Sequence, residues 1–191
     1  IKTAVEAFDG KVVMTRSSLP SGTDRVAAAV KGLKADWVMN IQGDEPLVSP
    51  MLLKSLIKRA SLTKLPSIIT AAEKISDLNT LNDPNAVKVV TNSRGLALYF
   101  SRAPIPFTGR ADKGMAVCPM KHVGIYLFHV EALARFVKAK PSLLELTEKL
   151  EQLRAFDLSI PIEVVETRYH PINVDVPGDI KKVETAIRKN K

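Results

Sequence analysis

The run from Trp37 to Gln42 ends in Gly43-Asp44-Glu45-Pro46, and two residues later Ser49-Pro50 opens a segment that stays helix-compatible to about Ala60. Six residues rich in Val, Ile, Met and Trp, stopped by Gly and Pro, predict a short buried strand. Serine as cap and proline in the first turn predict the start of a helix. Upstream, Lys11 to Thr15 reads as another short strand and Asp24 to Gly32 as a helix. A strand-helix-strand-helix order constrains the chain to an α/β layout with helices laid against a sheet.

The middle has a different texture. Val87 to Thr91 and Leu96 to Phe100 flank Asn92-Ser93-Arg94-Gly95, which predicts a hairpin in which Gly95 takes a positive φ. A strand is expected from His122 to Phe128 and a helix from Glu131 to Ala139, ending before Pro141. Ser142-Leu143-Leu144-Glu145 has the spacing of a capping box, opening a helix that should continue to Phe156. A strand over Ile162 to Glu166 and a helix over Asp179 to Arg188 close the chain. The fold class is therefore mixed α/β, in one domain over residues 1–191, with residues 87–128 as a hairpin-containing subregion.

Composition excludes several classes. The longest apolar runs, Ile68 to Ala72 and Val123 to Phe128, fall far short of the roughly 20 residues that a bilayer helix needs, so no membrane insertion is expected. One cysteine, Cys118, leaves no internal disulfide and fits a cytoplasmic protein. The net charge of +8 raises the question of nucleic acid. Lys and Arg are spread along the chain, however, and the only dense group is at Lys181-Lys182 and Arg188 to Lys191. A solvated helix face accounts for it, and no nucleic-acid partner is expected.

Four segments could carry chemistry. In Asn40-Ile41-Gln42-Gly43-Asp44-Glu45-Pro46 a strand delivers one amide and two carboxylates to the strand end, where open α/β sheets bind ligands. Asp44 would suit a Mg²⁺ shared with phosphate oxygens, although an acidic turn after a strand is also ordinary. Ser21-Gly22-Thr23-Asp24-Arg25 begins a helix, so its amides and hydroxyls could receive an anion or simply cap the helix. Arg102, at a strand end, could hold a carboxylate with its planar fork. His122 in Lys121 to Tyr126 is open to a structural or a binding reading. In the expected helix 145–154, Glu148 and Gln152 stand four apart on one face and could bind a polyol or be a solvated side.

Asn-Ile-Gln-Gly-Asp-Glu-Pro at 40–46, Ser-Gly-Thr-Asp-Arg at 21–25, Ala-Leu-Tyr-Phe-Ser-Arg-Ala-Pro-Ile-Pro at 97–106, His-Val-Gly-Ile-Tyr at 122–126 and Leu-Glu-Gln-Leu-Arg at 150–154 form an ordered set. The set resembles the 3-deoxy-manno-octulosonate (Kdo) cytidylyltransferases over essentially the whole chain. That resemblance implies a Rossmann-like, three-layer α/β/α nucleotidyltransferase with a mixed sheet. It implies transfer of CMP from CTP to Kdo with loss of pyrophosphate, for lipopolysaccharide synthesis, in a cytoplasmic homodimer that uses the hairpin region for contact.

The resemblance also implies roles. Asp44 and Asp175 would hold Mg²⁺, and Ser21, Gly22 and Gln42 would lie at the CTP side, with Gln42 between nucleotide and sugar. Arg102, His122, Tyr126, Glu148 and Gln152 would lie at the sugar side, with Arg102 on the Kdo carboxylate. Two departures stand out. The family begins with a strand and an Arg-, Ser-, Gly- and Lys-rich triphosphate loop, so the chain is expected to start about 50 to 60 residues downstream, the scale of one or two βα units. The family also usually shows Thr and Glu where Val176 and Gly178 stand. The rival readings are a cytidylyltransferase for another acidic sugar and a non-catalytic remnant.

Overall fold

The computed structural model describes residues 1–109, 118–172, 174 and 176–189. In chain order the elements are α1 (Lys2–Glu6), α2 (Gly22–Ala29), β1 (Trp37–Asn40), α3 (Pro50–Leu62), β2 (Ile68–Lys74), α4 (Leu78–Asn82), β3 (Lys88–Thr91) and β4 (Ala97–Ser101). They continue with β5 (Met120–His129), α5 (Val130–Lys138), α6 (Leu143–Glu148), a 3₁₀ turn (Glu151–Leu153), α7 (Arg154–Asp157), β6 (Ile162–Thr167) and α8 (Asp179–Lys189).

The six strands form one sheet in the order β4-β3-β5-β2-β6, with β1 also paired to β5. Among the described residues only β2 and β6 run parallel; the other pairings are antiparallel. Side chains alternate between two cores, as a pleated strand requires. Ile68, Ala72, Val89, Phe100, Phe128 and Ile162 face one side, where α5 adds Ala132, Leu133 and Phe136. Ile69, Ala71, Val123, Ile125 and Leu127 face the other, where α3 adds Leu52, Leu56 and Ala60. The layers are helix, mixed sheet, helix, as expected, and the β3–β4 hairpin is continuous with the sheet.

One topological detail prepares the site. Strand β5 pairs with β2 along its length on one edge. On the other edge it is shared: β3 takes Met120 and Lys121, and β1 takes Tyr126 to His129. Residues 122–125 thus lie where β1 and β3 diverge. The register with β2 is also irregular here, jumping from Thr70↔Tyr126 to Ala71↔Val123. The Thr70 hydroxyl lies 2.8 Å from the Ile125 carbonyl and 3.2 Å from that of Val123. Bulges of this kind re-aim side chains and recur beside functional sites.

Local expectations fare unequally. Ser49 caps α3 with Pro50 in the first turn, and Gly95 takes φ 77° in the hairpin. The run Ile68–Ala72 is the body of β2. Apart from Thr70 it reads as hydrophobic sequence because both of its faces are covered.

Two expectations are corrected. Lys11 to Thr15 is not a strand: among the described residues no strand pairs with it, and Val13 and Met14 are exposed. β-Propensity expresses fit to a pleated, half-buried surface, and that surface is absent there. The helix expected to run from Ser142 to Phe156 is broken. The capping box forms, but Lys149 turns left-handed at φ 55° and the Leu150 N–H folds back onto the Glu145 carbonyl (3.3 Å). A left-handed non-glycine residue costs roughly 1–2 kcal/mol, and the turn brings Leu150 and Leu153 into the core, at 5% and 0% exposure. Arg154 then locks it, donating from Nε (2.8 Å) and Nη2 (2.5 Å) to the Glu145 carboxylate.

Candidate active site

A cleft of about 620 Å³ opens where β1 and β3 separate. Gln42, Asp44 and Glu45 come to it from the loop after β1, Asp83 to Val87 from the loop before β3, and Lys121, His122 and Gly124 from β5. Asp179 and Lys182 of α8 complete the wall.

The loop after β1 is held at both ends. The Glu45 N–H donates to the Gln42 carbonyl (3.2 Å), and the Val174 N–H donates to the Asp44 carbonyl (2.9 Å). That second bond ties the segment before α8 to the Asp44 loop. Asp175, the other expected magnesium ligand, lies outside the described residues. No described side chain pairs with the Asp44 carboxylate, which lines the cleft half-buried. Its neighbour Glu45 turns inward and is 5% exposed, with Oε2 buried and unpartnered among the described residues. Burial first, and then the Asp44 charge, raise the Glu45 pKa, with Lys121 opposing. A carboxylate beside a second, unsatisfied carboxylate is a donor set that fits a hydrated divalent cation.

Gly22 and Gln42 meet: a Cβ on Gly22 would stand 4.0 Å from Gln42 Oε1. Ser21 acts as the helix cap, its Oγ accepting from the Asp24 N–H (3.1 Å) and donating to Asp24 Oδ2 (2.7 Å). The start of α2 therefore stands beside the amide end of the acidic loop.

On β5, His122 and Tyr126 make a tilted ring contact, with centroids 5.3 Å apart and planes at 48°. His122 Nε2 is 2.9 Å from the Thr70 hydroxyl. That hydroxyl has one proton, and when Ile125 receives it, its lone pair accepts from an imidazole protonated at Nε2. Burial pushes the His122 pKa down to about 3, so the ring is neutral at ordinary pH. Tyr126 is pushed upward by burial and then by the nearby Glu151 charge.

Gln152 lies with Tyr126, Thr23 and Glu151 around a small hollow adjoining the core. Glu151 was not singled out from the sequence. Its Oε2 accepts from the Thr23 hydroxyl (2.7 Å), and its Oε1 is buried without a hydrogen bond among the described residues. The signal was available, since Glu151 directly precedes Gln152. A continuous helix would put Glu148 on the face of Gln152 instead, and α6 ends at Glu148.

Arg102 follows directly on the end of β4, as expected, whereas Glu148 is placed differently from expectation. Glu148 and Gln152 do not share a helical face, because Lys149 breaks the helix between them. Neither Arg102 nor Glu148 lines the cleft. Arg102 donates from Nε to the Glu148 carbonyl (2.8 Å), from Nη1 to Pro84 (2.9 Å) and from Nη2 to Lys149 (3.3 Å). The Glu148 carboxylate accepts from Ser101 Oγ (2.7 Å), the Arg102 N–H (3.0 Å) and Tyr99 OH (3.5 Å).

Comparison with known proteins gives the family of the chain. A family model described as cytidylyltransferase matches residues 1–162. The 3-deoxy-manno-octulosonate cytidylyltransferase of Oleidesulfovibrio alaskensis is 47% identical over 193 residues, covering 100% of this chain and 76% of that protein. The one from Geobacter sulfurreducens is 43% identical over 197 residues, covering 96% and 76%. A solved structure of CMP:2-keto-3-deoxy-manno-octonic acid synthetase complexed with CTP superimposes with a TM-score of 0.91 at 36% identity, over 100% of this chain and 77% of that one. A putative glucose-1-phosphate thymidylyltransferase from Bacillus anthracis, at 10% identity and a TM-score of 0.63, shares the fold alone. The chain belongs to the cytidylyltransferase family, among its 3-deoxy-manno-octulosonate cytidylyltransferases.

Proposed function

We propose that the protein transfers CMP from CTP to Kdo, giving CMP-Kdo and pyrophosphate and activating the sugar for lipopolysaccharide assembly. The observation that carries this reading is the acidic loop at the end of β1, which opens on a cleft between diverging strands in a chain of this family. The sugar's anomeric oxygen forms a bond to the α-phosphorus while the bond to pyrophosphate breaks and the hydroxyl proton is released. Such a transfer needs attacker and phosphorus held in line, with developing charge neutralised.

Asp44 would hold Mg²⁺ on the cleft side, with Asp175 as the second ligand. The cation would neutralise phosphate charge and draw the phosphate oxygens into position. The start of α2, with Ser21 and Gly22, would meet the nucleotide, and Gln42 would lie between nucleotide and sugar. Neutral His122, with Tyr126 and Gln152, would offer hydrogen bonds to a polyol, as expected of groups that must discriminate hydroxyls. Arg102 and Glu148 would serve the sugar side from behind the cleft wall.

The protein would work as one catalytic domain, in the cytoplasm, as a homodimer joined through the β3–β5 region. Among the described residues no helix is long and apolar enough to cross a membrane. The test is pyrophosphate release from CTP, Kdo and Mg²⁺ by the intact protein and its Asp44→Asn variant. Release that requires Kdo and is lost in the variant supports the reading. CTP binding without turnover of Kdo, but with turnover of another acidic sugar, would replace the substrate.

A further inference from the structure

We infer that Glu148 is a positioning residue for the sugar side of the site, holding the end of β4 and, through Arg102, both the Asp83–Val87 wall and the turn that carries Gln152. The inference rests on the functional reading above.

The Glu148 carboxylate sits at a junction of three chain segments. From β4 and the residue after it, Ser101 and the Arg102 N–H both donate to it, one to each oxygen. Arg102 returns the contact, donating to the carbonyls of Glu148 and Lys149, the last helical residue and the left-handed turn residue that begins the approach to the 3₁₀ turn. The same guanidinium reaches the Pro84 carbonyl (2.9 Å), next to the cleft residues Asn85 and Ala86.

A second cation reinforces the joint. Lys88 is fully buried, and its ammonium donates to the Asp83 carbonyl (2.8 Å) and the Arg102 carbonyl (2.6 Å). The cleft wall before β3 is thus suspended from Arg102 on both sides of its backbone. On its far side the joint controls the exit from α6: two residues past Lys149 come Glu151 and then Gln152, beside Tyr126.

Burial alone would raise the Glu148 pKa, but the donated hydrogen bonds from Arg102, Ser101 and Tyr99 and the Arg102 charge lower it overall. The carboxylate is therefore ionised and acceptor-only at neutral pH, as two N–H and O–H donors on opposite oxygens require. Glutamine in its place would turn an NH₂ toward one of these donors and weaken the joint without changing its volume.

The experiment measures kcat and the KM for each substrate in the intact wild-type protein and in Glu148→Gln and Ser101→Ala, with thermal midpoints alongside. The expected result is a rise of about tenfold in the KM for Kdo in Glu148→Gln, the equivalent of one charge-assisted hydrogen bond, and a smaller rise in Ser101→Ala. The KM for CTP should stay within about twofold. A Kdo KM that is unmoved in both folded variants, or Kdo and CTP constants that rise together, would overturn the inference, and if Glu148→Gln fails to fold, Ser101→Ala decides alone. A wild-type protein with no turnover of CTP and Kdo overturns the functional reading, and this inference with it, whereas wild-type turnover with an unmoved Kdo KM overturns this inference alone.

Discussion

Two glutamates show how differently this chain treats the same side chain. Glu45, behind the acidic loop of the cleft, is buried with one oxygen unpartnered, and its pKa is raised. Glu148, at the joint behind the cleft, accepts hydrogen bonds on both oxygens, and its pKa is lowered. Near Glu45 the Tyr169 hydroxyl is also buried without a partner among the described residues. Burial and the Glu45 charge push Tyr169 up to about 12. Buried polar groups are normally satisfied, so a concentration of exceptions beside a cleft marks where the molecule keeps polarity for a ligand or for chemistry. The Arg102–Glu148–Lys88 joint is the opposite case, a network whose donors and acceptors answer one another and which therefore rigidifies the scaffold.

The comparison can be broken at several points. The largest effect should come from Asp44→Asn, which leaves the fold intact and lowers pyrophosphate release by on the order of 100-fold or more, the scale of removing one charged element of an electrostatic site. Next are the two glutamates themselves. Glu148→Gln should lower the thermal midpoint by several degrees, in line with loss of a hydrogen bond to a charged group at about 1.5–3 kcal/mol. Glu45→Gln should raise it by about 2–4 °C, because neutralising an unpartnered buried carboxylate relieves roughly 1 kcal/mol. If both midpoints fell together, the contrast between cleft and joint would be lost.

A finer test uses pH. The pKa of His122 is lower in the folded protein than in the unfolded chain, so the unfolded chain binds a proton first as the medium is acidified. Stability from the neutral ring is full above about 6.5 and declines as pH falls toward 3. A His122→Asn protein should lose less thermal stability between pH 7 and pH 5 than wild type, and equal losses would contradict the buried neutral ring. The smallest effect belongs to the exposed Lys74–Glu166 pair (2.8 Å). Removing it with Glu166→Gln should shift the midpoint by no more than about 1–2 °C.

How much of this was legible varies with the range of the interaction responsible. The cap at Ser49, the hairpin turn at Gly95 and the capping box at Ser142 depend on contacts within a few residues, and local sequence predicted all three. The strand ending in Gln42-Gly43-Asp44-Glu45 was equally readable, because its apolar run and its stop are both local. Lys11 to Thr15 looked like a strand by the same criterion and is not one, because pairing depends on a neighbour that propensity does not report. Lys149 gave no local warning of a left-handed turn. That turn follows from the burial of Leu150 and Leu153 and from Arg154 bonding Glu145, contacts that exist only once α6 is docked.

By itself, then, the sequence determined the α/β alternation, the family to which the chain belongs and two of the segments that line the cleft, the acidic loop after β1 and the stretch of β5 over residues 121–124. Periodicity, turn residues and ordered motifs are one-dimensional signals. Only the tertiary structure decided how the segments meet: that Gly22 stands beside Gln42, that Val174 is tied to Asp44, that Glu151 stands with Gln152 and Tyr126, and that Arg102 and Glu148 lock a joint behind the site. Hydrogen-bond commitment and desolvation are set by neighbours that are distant in the chain, such as Ser101 and Glu148 or Thr70 and Ile125. Such pairings come into being when β1 and β3 part along β5 and the helices close over the sheet.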